Sequence, residues 1–551
     1  MRSDAALRDK RNFMKLPVVW SGQQVCARVE RPLALWWFSL SRCRFPAVLS
    51  GLLFNFPMPL TLFDTMSRAQ RVLTPLDGST CRFYACGPTV YGPAHIGNFR
   101  TFVMQDLFRR VLELGGTPTK HVRNVTDVDD KTIRAAQEKG LSLTDFTKYW
   151  TTLFHADCVA LHCLPPHVEP SAVEHIPHQV RMIGELMAGG HAYAAADGSV
   201  YFKITSYPDY GRLSRVKERE LKQGASVAED EYEKDTLGDF ALWKARKPED
   251  GFNFWSSPWG DGRPGWHLEC SAMIREYLGD NFDLHSGGVD LVFPHHENEI
   301  AQSECCAGGR GFAAHWFHIT HLLVDGKKMS KSLGNLYTLG DLGAKGYTPE
   351  EVRYVLTAAH YRAQLNFTLD SLDGARAALA KLARAERALA SRAGENAVPV
   401  YESLAGQNPG PFAKAWTALN NDLNTAETLG HFFTTLKSIK PEAMEPAEAL
   451  AAWRGFHLIL AAFGISLPKE EVNQFRVDKG QVKESSAAIS AKSEVSANTE
   501  AFPQKVRDLA EARWSARVAK NWEESDRLRG ELDAQGWTMK DGRGDYTLTK
   551  K

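Results

Sequence analysis

Between positions 97 and 114 the apolar residues fall at Phe99, Phe102, Val103, Leu107, Val111 and Leu114. Steps of three and four place them along one side of a helix, so the spacing predicts a helix from about Gly97 to Leu114 with a single buried stripe. Gly115-Gly116 ends it. Upstream, Arg82–Ala85 reads as a strand, followed by a turn punctuated by Gly87, Pro88, Gly92 and Pro93. Downstream, Lys120–Val125 reads as the next strand. Strand, turn, helix and strand make a βαβ unit of the doubly wound pattern, in which the first turn faces a ligand. Leu60–Phe63 reads as an earlier strand.

Further along, 166–262 loses this alternation and is rich in Gly, Pro, Lys and Glu, as an inserted domain would be. The α/β pattern resumes near Gly265 and runs to about Asp341. Leu372, Leu379, Leu382 and Leu389 then repeat at helical spacing, the stripe of a bundle helix. Ser485–Ala501 is rich in Ser and Ala and lacks aromatics, which marks a linker. The expected fold class is therefore α/β, with a doubly wound, Rossmann-like parallel-sheet core. That core is interrupted by an insertion and followed by an α-helical bundle and a small C-terminal α+β domain. The expected divisions are an extension 1–57, core halves 58–165 and 263–341 around the insertion 166–262, a short region 342–368, a bundle 369–480, a linker 481–501 and an end domain 502–551.

At 551 residues the chain is long enough for three or four domains of ~150 residues. With 43% hydrophobic and 24% charged residues it is globular, and disorder is excluded. Sixty-six basic residues balance 66 acidic ones, so any polyanion has to be held by local patches. Nine scattered cysteines are an odd count that suits a reduced compartment better than a disulfide framework. Residues 1–57 carry nine Lys/Arg against three Asp/Glu. Pro46, Pro57 and Pro59 interrupt the uncharged run Phe45–Phe63 and argue against a spanning helix. Two readings stand: a signal or transit peptide, or a mis-called start with Met58 as the true one. Nothing else in the chain is expected to cross a membrane.

Three segments carry chemistry. Pro93-Ala94-His95-Ile96-Gly97-Asn98 opens the predicted helix, where free N–H groups and the dipole suit a phosphate. His95 can add a donor and Gly97 lets a flat base approach, although a plain helix start with a satisfied histidine has the same look. Lys328-Met329-Ser330-Lys331-Ser332 follows an apolar strand His321–Val324 and an Asp325-Gly326 turn. Its lysines can neutralise a leaving polyphosphate, or be ordinary loop lysines. Third, His295 and Glu299 stand four apart on one helix face, Cys86 ends the first strand, and Cys270 lies in Trp266-His267-Leu268-Glu269-Cys270. Two thiolates, an imidazole and a carboxylate make a plausible zinc set. Singly, Cys86 and Cys270 read as small buried hydrophobes and the His295–Glu299 helix as a solvated face, and spacing does not establish that they converge.

The first two segments, in this order on an α/β core, resemble the HIGH and KMSKS signatures of class I aminoacyl-tRNA synthetases. Longer strings narrow the resemblance: Phe83–Tyr91, Arg123–Asp130, Ser257–Gly260, Gly265–Met273, Phe293–Gln302 and Lys328–Asn335 are similar to the cysteinyl-tRNA synthetase family from Leu60 to the C-terminus. The resemblance implies a zinc held by Cys86, Cys270, His295 and Glu299, and ATP with Mg²⁺ served by His95, Gly97, Asn98 and Lys331. It implies catalytic roles for His95, Asn98, Lys328 and Lys331. L-cysteine is expected beside Thr89, Trp266, His267 and Asp290, with a tRNA specific for cysteine as acceptor. It further implies that 166–262 is the connective peptide, that 342–368 contacts the tRNA stem, that the helical and end domains grip tRNA, and that the protein is a cytoplasmic monomer. His267, His285 and His296 either line the metal or merely lie near it. Asp129 and Asp130 read as caps of a helix starting near Lys131. Arg513, Arg517, Lys520 and Arg527 are either phosphate contacts or a solvated face. Asn98 departs from the signature's final histidine: it keeps a donor but cannot carry charge, or it serves only the helix start. Ligases that move cysteine to an amino sugar resemble only the catalytic half, so the chain beyond Thr368 favours tRNA.

Overall fold

The computed structural model describes residues 59–216, 238–309, 311–330, 333–395, 397–468, 474–478, 481–484, 504–541 and 545–550. The extension 1–57, the Ser/Ala-rich stretch 485–501 and Lys331 lie outside them. β1 (Thr61–Asp64) and β2 (Ala69–Val72) form an antiparallel hairpin. β3 (Cys81–Ala85), α1 (Ile96–Leu114) and β4 (Thr119–Arg123) are the βαβ unit, with ends within two residues of the sequence reading. α2 (Asp130–Glu138), α3 (Leu143–Ala160) and α4 (Ile176–Ala188) follow. The stretch that loses alternation builds its own antiparallel sheet from β5 (Ala192–Ala194), β6 (Val200–Phe202), β7 (Phe240–Ala245) and β8 (Gly262–Pro264).

Alternation then returns with α5 (Trp266–Leu278), β9 (Phe282–Gly288), α6 (His295–Cys306) and β10 (Ala313–Ile319). The central sheet has the order β10-β9-β3-β4, parallel throughout. From β3 the chain steps to β4 on one side, and after the insertion it resumes with β9 on the other. That reversal opens a crevice at the carboxyl ends of β3 and β9, where a doubly wound sheet places its ligand. β11 (Leu323–Val324) and β12 (Lys327–Lys328) make a tight hairpin across Asp325 and Gly326, both at positive φ (49° and 72°), as a two-residue turn of this hand requires.

α7 (Leu339–Ala344), α8 (Pro349–Ala358), β13 (Asn366–Phe367) and α9 (Leu369–Ala393) lead to α10 (Ala413–Asn420), α11 (Thr425–Ser438) and α12 (Pro446–Phe463). These helices do not form a core of their own. Phe83, Leu107 and Phe108 of the βαβ unit share one apolar cluster with Leu379, Leu382, Trp416 and Phe456.

For this reason α1 departs from its predicted single stripe. The helical region covers its second face, and Arg100, Gln105, Asp106, Arg109 and Arg110 are buried with the apolar residues. Each buried charge has partners. Arg100 donates to the carbonyls of Leu356, Ala359 and His360. Asp106 accepts from Arg110 Nε (2.7 Å), Arg353 Nη2 (2.5 Å) and the Leu164 N–H (2.7 Å).

Three local expectations need correction. Asp129 caps α2, but Asp130 pairs with Lys244 and Arg263 of the inserted sheet. β14 (Gln474–Asp478) and β15 (Gln481–Glu484) stand where a bundle end and a linker are expected, and they join the terminal sheet β15-β14-β17-β16 with β16 (Trp537–Asp541) and β17 (Asp545–Lys550). Against that sheet lie α13 (Gln504–Val518) and α14 (Trp522–Ala534). Arg513, expected as a phosphate contact or part of a solvated face, is fully buried on Asp541. Arg527 is exposed on its helix and paired there with Glu524 and Glu531, as on a solvated face.

Burial alone would raise the Asp106 pKa, but Arg110 and Arg353 hold it at about 2, against an ordinary 3.8. A carboxyl depressed on folding stabilises fully above its unfolded pKa and loses that contribution as pH falls through the folded one. Asp106→Asn is therefore expected to cost about 3–5 kcal/mol at neutral pH. Denaturation of the two proteins should converge as pH falls from about 4 to about 2.

Candidate active site

Cys86 is the first residue past β3, and its N–H donates to Ser286 O of β9 (3.1 Å), so the two strand ends are tied at the reversal. Cys270 projects from α5, and His295 begins α6 with Glu299 one turn later. One ligand atom from each of these four lies within 4.8 Å of all the others, and all four residues are buried. His295 Nε2 is 2.7 Å from Glu299 Oε1, and Cys86 Sγ is 3.9 Å from the same oxygen. A second set, Cys86, His285, His296 and Glu299, is equally close-knit. The cluster could hold a metal ion, and its donors suit zinc.

The protonation pattern follows from the contacts. Burial would raise the Glu299 pKa, but His285 and His295 hold it down at about 2. Burial would lower that of His295, but Glu299 and Cys270 push it up to about 10. Between the two thiols one proton is shared unevenly. Burial and the hydrogen bond with Cys270 push Cys86 well up. Cys270, which burial would also raise, is held at about 6 by Cys86 and His295.

The other histidines are drawn in. His267 Nδ1 is 3.0 Å from His295 Nδ1, and His285 Nε2 is 2.5 Å from Glu299 Oε2. His296 reaches Cys86 Sγ with Nε2 (3.3 Å) and His318 Nε2 with Nδ1 (2.8 Å); His318 Nδ1 is in turn 2.8 Å from Thr65 Oγ1. His267, His285 and His296 thus each touch a residue of the cluster. Sequence reasoning missed His318 and Thr65. The available signal for His318 was its place at the carboxyl end of a strand, the ligand-bearing side of such a sheet.

Trp266 stacks on the His295 ring (4.3 Å, 23°). Thr89 is half-buried and bridges to Thr126, whose hydroxyl donates to Glu269 (3.1 Å). Asp290 is exposed just past β9; a Cβ on Gly288 would fall 2.3 Å from its Oδ1, so the carboxylate sits where only glycine leaves room.

His95 caps α1. Its Nδ1 accepts from the Asn98 N–H (3.3 Å) while Asn98 Oδ1 accepts from the His95 N–H (3.1 Å). Asn98 thus serves the helix start. Burial pushes the His95 pKa down. A Cβ on Gly97 would lie 3.0 Å from His95 Nδ1 and 3.2 Å from Met329 Sδ, so the helix start and the 328–330 segment touch. Asn335 supports that segment, accepting from Ser330 N–H (2.9 Å) and donating to Lys328 O (3.1 Å). Lys328 is exposed at the end of β12. Among the described residues no helix is long and apolar enough to cross a membrane.

Parallel sheet, crevice and the two touching segments define the catalytic core of a class I aminoacyl-tRNA synthetase, and residues 72–377 match the family described as tRNA synthetases class I (C) catalytic domain. The chain belongs to the cysteine–tRNA ligase family. It is 52% identical over 500 residues to the Opitutus terrae cysteine–tRNA ligase, covering 89% of this chain and 99% of that one. It is 42% identical over 497 residues to the Chlamydia muridarum cysteine–tRNA ligase, covering 90% and 100%. The fold is also that of an Agrobacterium radiobacter LeuRS–tRNA–LeuAMS complex, at TM-score 0.52 and 11% identity over 71% of this chain and 85% of that one.

In the metal-free protein at neutral pH, Cys86 and His295 carry protons while Cys270 and Glu299 have lost theirs. Metal binding requires all four deprotonated, so uptake of Zn²⁺ should release about two protons and tighten as pH rises. Calorimetry in buffers of different ionisation enthalpy checks both. Release of no proton would count against these ligands.

Proposed function

We propose that the protein is an aminoacyl-tRNA synthetase that joins L-cysteine to the α-phosphate of ATP as cysteinyl-adenylate, releasing the pyrophosphate of ATP, and transfers the cysteinyl group to the 3′ end of its tRNA. The observation that carries this reading is the convergence of Cys86, Cys270, His295 and Glu299 in one buried crevice of a chain from this family. Donors of this kind fit zinc, which when bound supplies a borderline-soft Lewis acid that prefers thiolate to hydroxyl. Such a preference does what size cannot. Serine is nearly isosteric with cysteine, and apolar contacts alone separate close analogues by only ~1–3 kcal/mol. Trp266, packed on His295, forms a wall of the cysteine site, and His267 holds the His295 ring in place through its other nitrogen. Thr89 offers a polar contact to the ammonium or carboxylate. Asp290 faces the substrates.

The carboxylate of cysteine is already a nucleophile, so activation calls for positioning and charge stabilisation rather than a base. His95, kept neutral by burial, donates toward the α-phosphate, and Gly97, without a side chain, lets a flat base approach the backbone. Asn98 borders the same groove. Lys331, with Lys328 at the base of the loop, neutralises the departing pyrophosphate, which Mg²⁺ accompanies. The helical and terminal domains hold the tRNA.

The decisive experiment is charging of cysteine tRNA with labelled cysteine by purified protein started at Met58. Cysteinyl-tRNA should form, and serine should not compete. Absence of cysteine-dependent pyrophosphate exchange would overturn the reading. Cys270→Ser should lower zinc content and raise the KM for cysteine together, by tenfold or more on the scale of ~1.4 kcal/mol per decade. Full zinc content in that variant would remove Cys270 from the ligand set.

A further inference from the structure

Two cysteines that take no part in the candidate active site meet at the end of α3. The helix closes on Leu161, and the chain turns back through His162 at φ 56°. The His162 N–H donates to Val159 O and the Cys163 N–H to Cys158 O, both at 2.9 Å. These two bonds make a Schellman motif, in which the side chains at the ends of the outer bond pack together. Here both ends are cysteine. The backbone bond keeps the two residues close enough for a disulfide, and their thiols hydrogen-bond each other. Both are free thiols in this structure. We infer that Cys158 and Cys163 are a dithiol that a peroxide converts reversibly to a disulfide, a modification site at the joint between the α/β core and the helical region.

The surroundings suit that chemistry. The thiolate is the form that attacks a peroxide, and neighbouring cations favour it. Arg353 Nη1 is 3.8 Å from Cys163 Sγ, and Arg123 Nη1 is 4.0 Å from Cys158 Sγ. The hydrogen bond from Cys158 lowers the Cys163 pKa, with Arg353 and Arg123 helping against burial and Asp106. The same bond, with burial, pushes Cys158 up. Cys163 is thus the attacking thiolate and Cys158 the resolving thiol. Exposures of 8% and 6% suit a small oxidant better than a macromolecular one. With hydrogen peroxide, the Cys163 sulfur takes one oxygen, the O–O bond breaks, and hydroxide leaves and gains a solvent proton. The Cys158 sulfur then attacks the Cys163 sulfenic acid. An S–S bond forms, the S–O bond breaks, and the hydroxyl leaves as water with the Cys158 proton. Two electrons pass from the sulfurs to the peroxide. In reducing surroundings such a disulfide is transient.

The place of the pair gives the bond its effect. Leu161 O accepts from Arg353 Nη1 (2.6 Å), and His162 O accepts from Arg110 Nη2 (2.6 Å). The Leu164 N–H donates to Asp106 (2.7 Å), and Arg353 reaches on to Phe463 O of α12 (2.6 Å). The turn that the disulfide closes is therefore the one on which the core meets the helical region. Closing it stiffens that joint.

The test uses the full chain, exposed to a few equivalents of hydrogen peroxide, then denatured in N-ethylmaleimide, digested and analysed by mass spectrometry. The segment holding Cys158 and Cys163 should lose two hydrogens, escape alkylation, and regain both thiols in dithiothreitol. Amide exchange at His162, Cys163 and Leu164 should slow by at least about tenfold on oxidation, because the bond restrains the opened turn. In Cys158→Ser, Cys163 should stop at a sulfenic acid that dimedone traps, whereas in Cys163→Ser, Cys158 should stay reduced. Recovery of both wild-type residues as free thiols would overturn the inference, and so would a disulfide from either to another cysteine. Unchanged amide exchange in the oxidised protein would overturn the effect on the joint. None of these readings involves cysteine activation or RNA, so they stand apart from the proposed function.

Discussion

Everything at the crevice depends on the parallel pairing of β3 with β9, closed by the hydrogen bond from Cys86 N–H to Ser286 O. These strands are remote in sequence, with the whole inserted sheet between them. Closing so long a loop costs little more than closing a shorter one, because the entropy penalty grows only logarithmically. The pairing therefore tolerates an insertion, and it brings the end of the first strand against the turn that feeds α6. The donors of the cluster come from three separate segments, so Cys86 does not meet the others until this pairing exists.

The buried carboxylates at these sites are each held by counterparts. Glu299 lies between His285 and His295, Asp106 between Arg110 and Arg353, and Asp422 between Arg362 and the Tyr361 hydroxyl. Paired buried charges of this kind add little net stability, but they penalise any arrangement that separates them. Asp106 reaches from the core to the helical region, and Asp422 reaches back from the helical region to the hairpin. Together they fix how the two parts meet.

The elements with strong local signals were legible in the sequence: α1, β3 and β4 by periodicity, and His295 with Glu299 by helical spacing. Cys86 was placed correctly by its position at a strand end. What the pattern could not convey was long-range. A polar residue such as Asp106 reads as exposed unless the helix that covers it is known, and α8 and α12 lie hundreds of positions away. Asp422 sits in a loop whose partners are Phe63, Tyr361 and Arg362, so nothing local marks it. His318 and Thr65 meet only across β10 and the hairpin. The short strands β14 and β15 were missed for another reason: they flank Lys479-Gly480, a hairpin signal that was read as the edge of a linker. Arg513 looked like one more surface cation because its acceptor, Asp541, follows two helices later.

α1 has a further consequence, for the modularity of the protein. At 19 residues it spans roughly 28 Å. Its first turn borders the crevice, while Asp106 and Arg110, further along, are tied to the helical region through Arg353 and Ala461 O. The helix belongs to both parts at once. A bundle grafted from a relative would not dock on this core unless Arg100, Asp106 and Arg110 travelled with it. The seam at which the chain could be recombined therefore runs along the inner face of α1, and not through the connection that follows β13.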